Sequence, residues 1–431
     1  MLESIHAALW GAPTLALFLC VGFWFSARTH FFQITRFPYW MKATFGSLMH
    51  KNIPSAERSE KSITPFQALT GALAACMGTG NIAGVATAIV LGGPGAVFWM
   101  WFSSLFGMMT AFAENTLGIK YRYKGTDGQY MGGGMVTLAR GLGMKKLGGI
   151  WCVLLVASSF GVGNMTQGNS AAAALHESFG ITPAAVGIAL AALVGIITAG
   201  GIKRLARVSE LLIPVLSVAF LLGCIVLIAG NAAALPAALG AIMRGARTPA
   251  AMRWGIARGV FSNEAGLGTA PLIHASAECK RPAEQGMWGI AEVFADTTVM
   301  CAVTGLAVLV SGAYSAEGTR TGAALCGDAF ARMLGEPGRA FVSVALCLYA
   351  LSTLVGWGQY GRQGVKYLLG KRGELPYLIV FVAAAVFGCI VRLETVWLAA
   401  DILNALMAFP NLLSLIILRR EAAEELRRIN A

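Results

Sequence analysis

The chain has 431 residues, of which 56% are apolar types and only 13% charged, with a net charge of +12, whereas soluble proteins carry roughly 25% charged residues. Asp, Glu, Lys and Arg are absent from residues 62–113, 147–176, 178–202, 211–243, 297–316, 340–361, 375–391 and 402–418, and a spanning helix needs about 20 apolar residues. This composition excludes a soluble enzyme, a nucleic-acid binder and an outer-membrane barrel, whose strands alternate over short segments, and predicts an all-α polytopic membrane protein whose first partner is the lipid bilayer.

In chain order, the apolar runs and their breakers predict eleven spans: 8–27, 66–91, 95–119, 148–175, 183–200, 209–230, 253–276, 286–311, 339–360, 375–392 and 395–418. The first lacks a basic leader and ends at Ser26-Ala27-Arg28 without a cleavage site, so it is read as a retained helix and not a signal peptide. The longer connections are 28–64, 120–147, 231–252 and 312–338, with surface helices expected at 233–247 and 321–335. Nine cysteines, none in a CxxC pair, and five scattered histidines read as buried small hydrophobes and no His-rich metal site.

Charge tests this count through the bias of Lys and Arg toward cytoplasmic loops. With the N-terminus outside, the inner segments collect most of the basic residues, among them Lys42, Lys51, Arg58, Lys61, Lys120, Arg122, Lys145, Lys203, Lys280, Lys366 and Arg428. The outer segments keep Arg244, Arg247, Arg253, Arg320, Arg332, Arg339 and Arg392, and Arg258 stays inside a span. A missed helix would invert every later loop, so the N-terminus is placed outside and the C-terminus in the cytoplasm. Setting aside 1–65, which holds the extra first helix and its connection, the remaining spans form two blocks of five, 66–230 and 253–418. They are joined by the external connection 231–252 and followed by the tail 419–431. An odd number per block makes the second an inverted repeat of the first.

The first span of each block is interrupted at mid-membrane: Gly78-Thr79-Gly80-Asn81-Ile82-Ala83-Gly84 in one, Ser262-Asn263-Glu264-Ala265-Gly266-Leu267-Gly268-Thr269 in the other. Glycine weakens a helix interior by about 1 kcal/mol, while Asn, Thr and Ser compete for backbone groups and cap new helices. Unwound backbone is tolerated at this depth only where it lines a protein cavity. Freed carbonyls at the end of one half-helix suit a cation, and freed N–H groups at the start of the next suit a carboxylate. The competing reading is glycine for close helix packing. On the physical reading, the backbone of Gly78, Thr79 and Gly80 and the side chain of Asn81 receive carboxylate and cation. Ser262, Asn263 and Glu264 receive an ammonium group, unless Glu264 forms a structural pair with Arg258. Gly266 and Gly268 leave room for a side chain no larger than methyl.

These two stretches, together with Gly92-Gly93-Pro94-Gly95-Ala96-Val97-Phe98-Trp99-Met100-Trp101, carry a resemblance to the alanine/glycine:cation symporter family. These are sodium:alanine symporters within the wider group built on the five-plus-five inverted-repeat, LeuT-like fold. The Gly92–Trp101 run is the most specific; Phe102 stands where an aliphatic residue is expected. The likeness extends from about Phe25 to Leu418. It implies Na+-coupled uptake of small neutral amino acids such as alanine and glycine by alternating access, in a bacterial inner (cytoplasmic) membrane, with Na+ as coupling ion and no organic cofactor. It also implies that Gln167, in the polar run Asn164–Asn169, hydrogen-bonds the substrate. Na+ is expected on the hydroxyls of Ser352 and Thr353 with carbonyls near Ala75 and Gly78, and Trp357 either walls the pocket or fills the core.

Glu114, Glu292, Asp296 and Asp401 also fall in or near the membrane. Asp296-Thr297 suits a second cation site or a gate, and Glu114 a pairing with Lys120 or Arg122. Proton coupling through Glu264 or Asp296 is the alternative within the transporter class, and a channel is the alternative outside it. An enzyme is not expected: there is no clustered His/Asp/Glu constellation, no Ser/His/Asp set and no phosphate-binding GxxxxGK[ST] motif.

Overall fold

A computed structural model describes residues 2–49, 62–125, 127–315, 320, 322–391 and 394–430. Lys51, Arg58, Lys61 and Arg392, used in the charge argument, lie outside the described residues. Among the described residues helices account for nearly all of the architecture, and the one strand pair is a two-residue hairpin, Tyr123–Lys124 against Tyr130–Met131.

Among the described residues, eight helices are long and apolar enough to span a membrane, or nine when the bent pair Pro65–Cys76 and Gly80–Gly92 counts as one. The expected total of eleven differs for two local reasons. Pro183–Ala199 is an apolar helix of only seventeen residues. The span expected at 253–276 is split into Pro249–Asn263, an irregular stretch, and the single turn Pro271–His274. The two surface helices form, at Leu235–Gly245 and Ala323–Leu334, and the chain closes on a further helix, Arg419–Asn430.

Both interrupted spans start alike. Thr64 caps Pro65–Cys76 by accepting from Gln67 N at 3.1 Å while Gln67 Oε1 accepts from Thr64 N at 3.0 Å. Thr248 caps Pro249–Asn263 by accepting from Ala251 N at 3.2 Å. Each cap is followed by proline, whose missing N–H costs nothing in a first turn. The two elements then run into the centre of the molecule, where every residue of Ala68–Ala86 is buried.

Outward faces elsewhere are apolar and bare: Ile188, Ile196, Leu211, Val215, Ile379 and Phe387 are all exposed, as a surface facing hydrocarbon requires. Inside, Trp40, Trp151, Trp357, Tyr349 and Tyr360 are fully buried. Close approach rests on small residues. A Cβ at Gly163 would stand 2.2 Å from Trp357 Cβ, and one at Gly95 would stand 2.0 Å from the backbone of Gly245. The Gly92–Trp101 run therefore docks the surface helix Leu235–Gly245, and Trp99 Nε1 seals that contact with a bond to Ala246 O at 2.7 Å.

Candidate functional site

The first interruption is a 56° bend. Helix Pro65–Cys76 stops, Met77 and Gly78 leave the helical path, and from Thr79 a π turn over Gly80–Gly84 leads into Val85–Gly92. Wide turns of this kind recur at functional sites. Two other helices converge on it. Asn81 Oδ1 accepts from Gly78 N at 3.1 Å. Gln167, just beyond a second π turn at Gly161–Met165, accepts from Thr79 N at 3.1 Å. On the 34-residue helix Glu336–Leu369, Thr353 Oγ1 donates to Met77 O at 3.3 Å, and Ser352 Oγ, which donates to Tyr349 O at 2.7 Å, lies 3.5 Å from the same Met77 carbonyl. A Cβ at Gly78 would lie 2.4 Å from Thr353 Oγ1. The same helix touches Ala75, whose Cα would be 2.7 Å from a Cβ at Gly356.

Ala75, Gly78, Ser352 and Thr353 are thus brought together, with Met77 O as the carbonyl on which both hydroxyls converge. The sequence reading missed Met77, since an apolar side chain gives no hint of what its carbonyl does. The donor set is hard oxygen, the chemistry that suits Na+.

The second interruption faces the first across a short gap: a Cβ at Gly80 would be 3.5 Å from Ser262 Cα. Between them stands Asp296, on the π-helical stretch Phe294–Cys301. It accepts from Asn81 Nδ2 at 2.7 Å, from Ser262 Oγ at 2.8 Å and from Thr297 Oγ1 at 2.6 Å. Asn263 Nδ2 donates to Thr297 Oγ1 at 3.1 Å. One fully buried carboxylate therefore ties both breaks to a third element. Thr79 Oγ1, also fully buried, has no partner among the described residues.

Glu264 ends helix Pro249–Asn263 with φ of 56°, a left-handed conformation that a non-glycine residue holds only where its surroundings fix it. Trp357 Nε1 donates to one of its oxygens at 2.9 Å and Thr269 Oγ1 to the other at 2.7 Å. Arg258 is not its partner; that guanidinium pairs with Asp401 at 3.0 Å.

The freed backbone of the second break is already satisfied by protein. Glu114 Oε1 accepts from Gly266 N at 3.1 Å and Gly268 N at 2.8 Å, while Asn411 donates to Glu114 Oε1 at 2.5 Å and to Gly266 O at 2.9 Å. Trp151 Nε1 donates to Leu267 O at 3.1 Å. Gly266 and Gly268, at φ of 102° and 80°, turn toward Phe18 and Asn411. The expected pairing of Glu114 with Lys120 or Arg122 is not made. Lys120 pairs with Glu421 at 2.8 Å, and Arg122 donates to the carbonyls of Ala275 and Ala277, because Glu114 lies two helical turns deeper, at the broken backbone. Protein side chains thus hold the N–H groups of Gly266 and Gly268 in the second break through Glu114, and those of Gly78 and Thr79 in the first through Asn81 and Gln167.

A cavity of about 420 Å³ ends on Ala83 and Gly84 in the π turn and is lined further out by Glu177, Arg258, Arg339 and Trp397. Arg339 and Arg320 pair with Glu177 and Asp328 across its rim.

The profile of a family described as the sodium:alanine symporter family matches residues 1–431. The sodium/alanine symporter AgcS of Methanococcus maripaludis is 39% identical over 445 residues, covering 100% of this chain and 97% of that protein. The probable sodium/glutamine symporter GlnT of Bacillus subtilis is 34% identical over 422 residues, covering 96% and 86%. Among solved structures, MhsT in complex with L-phenylalanine superposes with a TM-score of 0.63 at 14% identity, over 82% of this chain and 89% of that one. A manganese transporter of Eremococcus coleocola gives 0.55 at 17% identity, over 76% and 69%. At such identities the likeness is one of fold alone, and the fold is LeuT-like.

Proposed function

The chain belongs to the sodium:alanine symporter family, and from that premise we propose that it drives uptake of small neutral amino acids such as alanine and glycine with an inward Na+ gradient. It is a membrane-integral secondary amino-acid transporter. Our reading places eleven spans in the cytoplasmic membrane, the N-terminus outside and the C-terminus inside, with the five-helix repeats 66–230 and 253–418 exchanging access to a midplane site.

In this reading the substrate carboxylate lies at the start of the second half of the first broken helix. It takes over the Thr79 N–H now bonded to Gln167 and engages the unpartnered Thr79 Oγ1 and the backbone of Gly80. The displaced Gln167 amide turns to the substrate. The ammonium group meets Glu264 and the carbonyl side of Ser262 and Asn263, and Trp357 limits the side chain. Gly266 and Gly268 act at one remove, since their N–H groups are held by Glu114. One Na+ sits among Ala75, Met77 and Gly78 carbonyls and the hydroxyls of Ser352 and Thr353. A second sits at Asp296 with Asn81, Ser262 and Thr297. An ionised carboxylate in so buried a position costs several kcal/mol unless compensated, and a cation there offsets the cost while drawing the two breaks together.

The observation that carries this reading is the convergence of Asn81 and Ser262, one from each interrupted helix, on the single carboxylate of Asp296. The deciding experiment is radiolabelled alanine uptake into proteoliposomes. Saturable uptake that requires an imposed Na+ gradient supports it. Uptake driven by a pH gradient without Na+ replaces it with proton coupling at Asp296 or Glu264, and ohmic conductance replaces it with a channel.

A further inference from the structure

One buried ionisable cluster has no part in that cycle. His274 ends the turn Pro271–His274 of the second broken span, and Glu292 stands on the neighbouring helix Pro282–Val293. His274 Nε2 and Glu292 Oε2 are 3.2 Å apart, with side chains 0% and 1% exposed. On the other side of the ring, Gln285 Nε2 lies 2.5 Å from His274 Nδ1, and Gln285 Oε1 has no partner among the described residues. Ionisable groups kept at this depth are costly, and a pair of them with a dedicated amide is a built arrangement.

Its chemistry allows two states that differ by one proton. With a neutral imidazole, the Gln285 nitrogen donates to Nδ1 and Nε2–H donates to Glu292. With a half-turn of the amide, Oε1 accepts from Nδ1–H, and an imidazolium donates from both nitrogens. The same three side chains satisfy either state, so adding a proton leaves no donor facing a donor. The pair carries net charge −1 without that proton and zero with it, and the proton, held between Nε2 and Oε2, belongs to the pair and not to either group.

We propose that His274, Glu292 and Gln285 form a proton-binding site whose occupancy sets the cation affinity of Asp296. This rests on the cation role assigned to Asp296 above. Glu292 precedes Asp296 by four residues on a continuous helical path. The other ionisable groups that interact with Glu292 are Glu264 on the second broken span, Glu114 on Gly95–Tyr121, the thiol of Cys76 and the phenol of Tyr360. Arg122 donates to the carbonyls of Ala275 and Ala277, at 2.7 Å each, and Arg281, which caps the far end of the helix carrying Glu292, donates to Arg428 O at 2.8 Å. Between Glu292 and Asp296 the helix carries only Val293, Phe294 and Ala295, so no positive charge stands between them along it. Loss of the proton adds a negative charge one turn away and strengthens Na+ binding; gain of the proton weakens it.

The test uses the full chain in proteoliposomes, with the half-saturating Na+ concentration for alanine uptake measured at about pH 6 and about pH 8. In wild type that concentration falls by about tenfold at the higher pH, as unit charges one turn apart interact at a protein's effective dielectric. Glu292→Gln and His274→Gln each lose that shift. Where a variant inserts without transporting, Na+-dependent thermal stabilisation of the purified protein at the two pH values gives the same comparison. Equal Na+ dependence at both pH values in wild type overturns the proposal and leaves sodium-driven uptake standing, and so does a full shift that survives in both variants. If uptake needs no Na+ at either pH, the functional reading falls instead, and the thermal comparison still decides the proton site.

Discussion

Asn81 Nδ2 donates to Asp296 Oδ1 at 2.7 Å, joining residues 215 positions apart in sequence. The amide of a broken helix and the carboxylate of an unbroken one thus share a buried site with Ser262 of the opposite break. A neutral carboxamide at 296 keeps the shape and removes the charge. Asp296→Asn is expected to raise the half-saturating Na+ concentration by about a hundredfold, the scale set by losing a buried charge–charge contact. Na+ titration of alanine uptake, or of thermal stabilisation, checks it; an unchanged Na+ dependence would remove Asp296 from the cation site.

Asn81→Ala breaks four contacts together: to Gly78 N, to the Asp296 carboxylate, to Asp296 O and to Cys301 Sγ. Uptake is expected to be abolished while membrane insertion persists, because the lost groups lie at the site and not along the spanning faces. Surface biotinylation together with uptake on the same cells separates the two.

At Ser352 and Thr353 the prediction turns on the hydroxyl. Thr353→Ala removes an oxygen that points at Met77 O and is expected to weaken Na+ dependence by about tenfold, the worth of one hydrogen bond to a charged group. Thr353→Ser restores it. Equal Na+ curves for the alanine and serine variants would show packing, not ligation.

Gly268→Leu meets two obstacles. The residue sits at φ of 80°, and its Cβ would stand 2.5 Å from Asn411 Oδ1, so no relaxation of one side chain accommodates it. A loss of about 3 kcal/mol or more is expected from backbone strain and overpacking together, with uptake abolished. Glu114→Gln, isosteric but uncharged, weakens the bonds to Gly266 N and Gly268 N and is expected to cost about 2 kcal/mol. Thermal unfolding in detergent orders the two.

On the hairpin after Gly95–Tyr121, Asp127 pairs with Lys366. Burial works against its ionisation, but the hydrogen bond from Lys366 and the one from Gln129 N outweigh it and hold the carboxyl below the ordinary carboxylate range. With the folded value depressed, the pair contributes fully above the unfolded value of about 3.9 and is lost as pH falls through the folded one. Asp127→Asn should therefore lower thermal stability equally at about pH 6 and pH 8, and the difference from wild type should close only on acidification below about pH 4.

The sequence by itself determined the membrane class, most of the helical spans and the two interruptions, because each depends on local physics. Charge-free runs of spanning length, and glycines with capping residues at mid-run, carry their meaning in adjacent positions. Gly78–Asn81 and Ser262–Gly268 were legible for that reason. The tertiary structure alone decided what those breaks hold. Glu114 reaches the freed N–H groups of Gly266 and Gly268 from 152 and 154 residues away, and Arg258 goes to Asp401, not to the nearby Glu264. The carbonyl of Met77 meets two hydroxyls from a helix some 275 residues on. A buried polar group takes whichever partner the packing of distant helices brings within about 3 Å, and that choice is made by chain topology, which no window of sequence contains.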